Sequence, residues 1–160
     1  MGYTTKFSGE IAIDPPLSET ERAYLKKFTE TRRMLCTHGP YYVDRPGFMG
    51  QDRDASVINY NAPSEGQPGL WCQWVPNEDG TALELDEGDF AAEWMKYLID
   101  HFIGAEPLAR CKFPFFTGHK CNGEIEAQGE DSDDRWKLIV VDNVVSVAQA
   151  EIVYGKAREL

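Results

Sequence analysis

The chain has 160 residues, 42% of them hydrophobic and 12% aromatic, and a formal charge of −11. That length suits one hydrophobic core and leaves too little apolar surface for two, while the apolar content offsets the entropy of ordering and so excludes a disordered chain. The acidity is concentrated: residues 54–95 hold nine Asp or Glu and no Lys or Arg, which would repel a phosphate backbone and argues against direct DNA or RNA binding.

There is no run of about 18 apolar residues, and the start MGYTTKFSGE lacks a basic stretch followed by an apolar one, so the expectation is a cytoplasmic protein without a membrane segment. In a reducing compartment Cys36, Cys72, Cys111 and Cys121 are expected as free, mostly buried thiols.

Residues 3–13 alternate, with Tyr3, Thr5, Phe7, Gly9, Ile11 and Ile13 on one side, and predict a half-buried strand that Pro15-Pro16 end. Ser18 and Glu21 form a capping box. The helix it opens is expected to run to about Met34, with Tyr24, Leu25, Phe28 and Leu35 as its apolar stripe and Arg32-Arg33 complementing the dipole in its last turn. Residues 37–68 lose periodicity and are rich in Pro and Gly, which predicts a long irregular insertion with a short helix or strand near Ala55–Tyr60.

Leu70–Val75 and Thr81–Asp86 read as a hairpin around an Asp79-Gly80 turn. Asp89 is the expected cap of a second helix with Phe90, Trp94, Tyr97, Leu98 and His101 on its apolar face, stopped by Gly104. After an irregular stretch, Asn122–Gln128, Arg135–Val141 and Val144–Tyr154 predict an antiparallel meander with a tight turn at Asp142-Asn143. The order βαββαβ plus ββ suits an α+β domain of ferredoxin-like split plan over residues 1–160, with two helices on one face of the sheet and two additional C-terminal strands.

At GYTTKF, TRRM, GQPGLWCQW, WMKYLIDHF and NGEIEAQGE the chain resembles a family of small proteins encoded by bacteria, notably actinobacteria, and by bacteriophages. The likeness runs from Gly2 to about Val147, departs over residues 103–121, and implies no activity, cofactor or catalytic residue. Being similar to phage-encoded proteins, the chain suits an accessory or inhibitory role.

Several constellations invite chemistry. Cys36, His38, Cys111, His119 and Cys121 are the right donor types for Zn, but no Cys-x2-Cys or His-x3–5-His spacing is present, so core thiols and surface imidazoles are the plainer reading and no metal or other cofactor is expected. Cys72 with His101 would make a nucleophile and base, yet Cys72 sits between Trp71 and Gln73 in a strand, where packing alone asks for a small apolar residue. His101 near a helix end is expected to favour its protonated form. No phosphate loop, nucleophile elbow or His-Glu-x-x-His motif occurs.

Glu84, Asp86, Glu124 and Glu126 fall on alternate strand positions and define an acidic sheet face, which suggests a non-catalytic module that binds a basic protein partner. The alternative is a small-ligand binder or small enzyme whose pocket is lined by Trp71, Trp74, Trp94, Tyr97 and His101, with Arg32 and Arg33 holding an anion. A homodimer through an exposed strand edge is a third expectation.

Overall fold

The structure, a computed structural model, describes residues 2–44, 54–85 and 87–160. Strand β1 (Lys6–Asp14) alternates as expected, burying Ile11 and Ile13 and exposing Ser8, Glu10 and Ala12. Helix α1 (Glu19–Glu30) opens on the capping box: Ser18 Oγ accepts from the Glu21 amide at 3.2 Å, and Glu21 Oε1 accepts from the Ser18 amide at 2.9 Å.

The helix ends sooner than its apolar stripe suggested. Thr31 leaves helical backbone (φ −105°, ψ 127°), and its hydroxyl donates back to the Lys27 carbonyl at 2.7 Å, satisfying one of the helix's orphan acceptors. Arg32 and Arg33 therefore lie beyond the last turn, and Leu35 belongs to a strand. That strand, β2 (Met34–Cys36), pairs antiparallel with β3 (Val57–Pro63), so the irregular stretch contains a strand of its own.

The larger sheet adds β4 (Trp74–Pro76), β5 (Ala82–Leu85), β6 (Lys120–Gln128), β7 (Arg135–Val141) and β8 (Val144–Gln149), in the order β4-β5-β1-β6-β7-β8 with every pair antiparallel. β4 starts later than Leu70 because that backbone is used elsewhere: the Leu70 carbonyl accepts from the Arg33 amide at 2.7 Å. The β4–β5 turn closes on Gly80, whose φ of +77° suits the glycine predicted there. β8 stops at Gln149, five residues before the expected Tyr154, and residues 150–160 are exposed and without regular structure.

At the middle of the β1–β6 pair two glycines permit an unusually close approach. A Cβ on Gly9 would stand 2.3 Å from the Glu124 carbonyl oxygen, and one on Gly123 would stand 2.5 Å from that of Glu10. Both also have positive φ, so no L side chain fits either place without moving backbone.

Helix α2 (Ala91–Leu98) is not capped by Asp89. Its N-cap is Phe90 in the left-handed region (φ 59°), with no side-chain hydrogen bond. The helix passes into a π turn (Ile99–Ile103), closed by the Gly104 amide on the Ile99 carbonyl at 2.8 Å, and a 3-10 turn follows at Leu108–Cys111. α1 and α2 touch through Phe28 and Trp94, whose rings are edge to face at 5.9 Å. Ile11, Ile13, Leu83, Ile125, Leu138 and Val140 from the sheet join both helices in one buried cluster. The molecule is thus a mixed α+β protein with two helices and eight strands among the described residues, and none of those helices is long and apolar enough to cross a membrane.

Candidate functional site

The residues named from the sequence fall into three environments. Glu84, Glu124 and Glu126 lie on the sheet surface away from the buried cluster, and Asp86 lies outside the described residues. Glu124 pairs with Lys137 on the next strand at 3.1 Å, and Glu126 pairs with Arg135. Cross-strand cations therefore offset two of the carboxylates. Glu84 takes part in no such pair among the described residues, and Glu10 and Glu124 stand directly opposite each other on β1 and β6.

The aromatic and arginine set is engaged in packing and hydrogen bonds. Trp74 and Trp94 are completely buried and Tyr97 nearly so, while Trp71 is half-buried. Trp74 Nε1 donates to the Ala91 carbonyl at 2.9 Å, and Tyr97 receives a hydrogen bond from Gln67 Nε2 at 3.0 Å. Arg32 lies over the Tyr60 ring, 4.2 Å from its centroid. Arg33 turns the other way, buried against Phe28, and donates to the carbonyls of Thr31 (3.2 Å), Pro40 (3.1 Å) and Tyr42. Burial holds its guanidinium down at about 10.

His101 lies in the π turn, stacked on Tyr97 with ring centroids 3.9 Å apart and with Nδ1 2.6 Å from the Tyr41 hydroxyl. Burial lowers its pKa, with Asp100 working against it, which corrects the expectation that the protonated ring would be favoured. Cys72 is fully buried and its thiol is pushed up to about 12 by burial, away from any activated state.

The scattered donors do not converge. Cys36 and Cys121 are buried, Cys111 is exposed, all four cysteines are free thiols, and His119 is engaged with Glu21. Among the described residues no group of three or more His, Cys, Asp or Glu is placed to hold a metal ion.

What the structure does assemble is a cleft of about 470 Å³ beside α1. One wall is a single helix stripe, Thr20, Ala23, Tyr24 and Lys27, at the spacing that keeps side chains on one face. The second wall is residues 38–44. Its backbone is fixed by Arg33 on the Pro40 and Tyr42 carbonyls and by the Tyr24 hydroxyl, which donates to the Tyr41 carbonyl at 2.6 Å. There His38 stacks on Tyr42 at 4.3 Å. The third wall follows the 3-10 turn, where Phe113 lies 4.9 Å from Tyr24 and Phe115 lies 4.7 Å from the buried Phe116.

Among the described residues Lys27 and Lys112 are exposed at this cleft, neither has an ion-pair partner, and Asp44 is the one carboxylate lining it. Aromatic faces with two free ammoniums can stack on a flat molecule and pair with an anionic group. The signals for this site in the sequence are the GPYY and KFPFF runs, which lie in stretches without periodicity and so read as loop packing. No family model, curated protein or solved structure matches the chain.

Proposed function

We propose that this protein is a ligand-binding domain that takes a flat, largely apolar molecule with an anionic group into the cleft between α1, residues 38–44 and residues 112–115. The observation that carries this reading is the pair of ammoniums, Lys27 and Lys112, without an ion-pair partner among the described residues, at the rim of an aromatic-walled hollow on a chain of net charge −11. Lysine at such a rim discriminates for an anion where the rest of the surface repels one. We also infer a split βαββαβ core from the chain order β1, α1, β4, β5, α2, β6 and the sheet order β4-β5-β1-β6.

The test is a fluorescence titration with naphthalene-2-sulfonate, a flat aromatic anion, followed by competition with aromatic carboxylates. Saturable one-site binding with Kd of about 100 μM or tighter is expected, weakened roughly tenfold by Lys112→Ala. Absence of saturation, or equal binding by the wild type and a Lys27→Ala, Lys112→Ala double variant, overturns it.

A second reading keeps the open sheet face as an acidic surface for a basic protein partner, in an accessory or inhibitory role. Glu10 and Glu84 favour it: both are exposed on the sheet and take part in no ion pair among the described residues, so a docking cation would find them uncompensated. Capture that weakens with salt and with Glu10→Gln, Glu84→Gln and Glu124→Gln supports it; capture indifferent to all three counts against it.

A further inference from the structure

The two edges of the larger sheet are protected unequally. β4 is three residues long and ends in Pro76, which has no N–H to offer. β8 is six residues long, contains no proline and no ionisable side chain, and among the described residues no strand lies beyond it in the sheet. Its outward-facing groups follow from the hairpin. The two-residue Asp142-Asn143 turn makes Val141 and Val144 a hydrogen-bonded pair, and the alternation of an antiparallel ladder then directs the amides of Val145, Val147 and Gln149 off the edge. The Ala150 amide on the Arg135 carbonyl at 2.9 Å continues the same alternation.

Apolar surface is concentrated at the same place. Of the twelve large hydrophobic residues exposed among the described ones, Val141, Val144, Val147, Ile152, Val153 and Tyr154 lie within one short stretch. We propose that β8 pairs antiparallel with β8 of a second copy of this chain, centred on Val147, to make one continuous sheet across a twofold axis. Three features select a second copy. A twofold pairing sets Val145 against Gln149 of the partner, so no like charges meet, whereas the glutamate-bearing sheet surface would repel an identical molecule. The exposed Ile152–Tyr154 segment follows the edge strand, and Val141 and Val144 at the turn are bare, so apolar surface flanks the edge at both ends and meets its counterpart in an antiparallel pair. Finally, the edge strand itself lacks the charges by which monomeric proteins blunt such edges.

Light scattering coupled to size exclusion measures the mass directly. Twice the 18.1 kDa of the chain is expected, falling toward the monomer on dilution. Val147→Pro removes one outward amide and no bond of the β7–β8 ladder, so it is expected to give a monomer with the wild-type circular dichroism spectrum. Ile152→Lys is expected to weaken the dimer about tenfold. Amide hydrogen exchange of the wild type adds a readout independent of any variant: the Val145, Val147 and Gln149 amides are expected to be protected at high concentration and to exchange freely at low concentration. A monomer at about 1 mM, or a Val147→Pro protein that remains dimeric, overturns the proposal.

Discussion

Glu21 and His119, 98 positions apart in sequence, meet with Oε2 and Nε2 2.7 Å apart, each side chain only 1% exposed. The other ring nitrogen, Nδ1, lies 2.6 Å from the Pro15 carbonyl, which can only accept, so Nδ1 carries a hydrogen. The second carboxylate oxygen of Glu21 accepts from the Ser18 amide. One glutamate thus begins α1 and ties it to the segment that enters β6. Because the pair is buried, removing one partner leaves the other polar group without compensation. Glu21→Ala and His119→Ala are each expected to destabilise the fold by about 3 kcal/mol or more. The double variant should lose much less than the sum, as a urea double-mutant cycle would measure. Additive losses would show that the contact contributes nothing of its own.

That relationship also marks where the sequence stops being informative. Ser18 and Glu21 are legible as a capping box because both partners lie within one helical turn and the physics is local. The alternation of β1 and the Asp79-Gly80 turn are legible for the same reason. His119 as the partner of Glu21 is not, since no local pattern encodes a contact across the fold. The early end of α1 escaped because Arg32, Arg33 and Leu35 continue a plausible helical pattern, and only the pairing of β2 with β3 overrides it. The cleft escaped most completely. Its walls come from one helix stripe and two aperiodic stretches, so nothing in the spacing of Lys27, Tyr42 and Phe113 joins them.

The thiols separate by environment. Cys72 and Cys121 are buried, and burial pushes each up to about 12, while Cys36 is buried and Cys111 is exposed. Thiolate is the reactive form, so both burial and protonation protect Cys72 and Cys121, and burial protects Cys36. Reaction of the native protein with an aromatic disulfide reagent is expected to modify Cys111 rapidly and the other three only on unfolding. Cys111→Ser should abolish the fast phase. Two fast thiols in the native state would contradict the burial of the rest.

His101 makes stability depend on pH. Its folded pKa lies below the ordinary 6.5 because the ring is half-buried against Tyr97 and Phe102, so the unfolded chain binds the proton more readily. The contribution of the neutral ring is therefore complete above about pH 6.5 and is lost as the pH falls through the folded value. Tyr41, Asp100 and Lys96 face or flank the ring and remain in the comparison. Urea midpoints measured from pH 7.5 down to about pH 5 are expected to fall less steeply for His101→Phe than for the wild type. Identical slopes would remove His101 from the account.

Arg33 links stability to the cleft. The residue is 3% exposed, and its guanidinium stacks 4.2 Å above Phe28 and donates to Pro40 and Tyr42, fixing the backbone on which Tyr41 and Tyr42 are mounted. Lysine keeps the charge but has neither the planar fork nor the flat surface, so Arg33→Lys cannot satisfy these carbonyls together while covering Phe28. A loss of about 2 kcal/mol is expected, by analogy with leaving buried acceptors unsatisfied. If residues 38–44 form the ligand's wall, the same variant should bind the aromatic sulfonate more weakly at a temperature where it is still fully folded, and Arg32→Ala, whose guanidinium covers Tyr60 instead, should bind it normally. Stability lost with affinity retained would place the ligand away from this wall. Affinity lost equally in both variants would point to a general loosening of the region around β2, and the difference between the two arginines is what separates those outcomes.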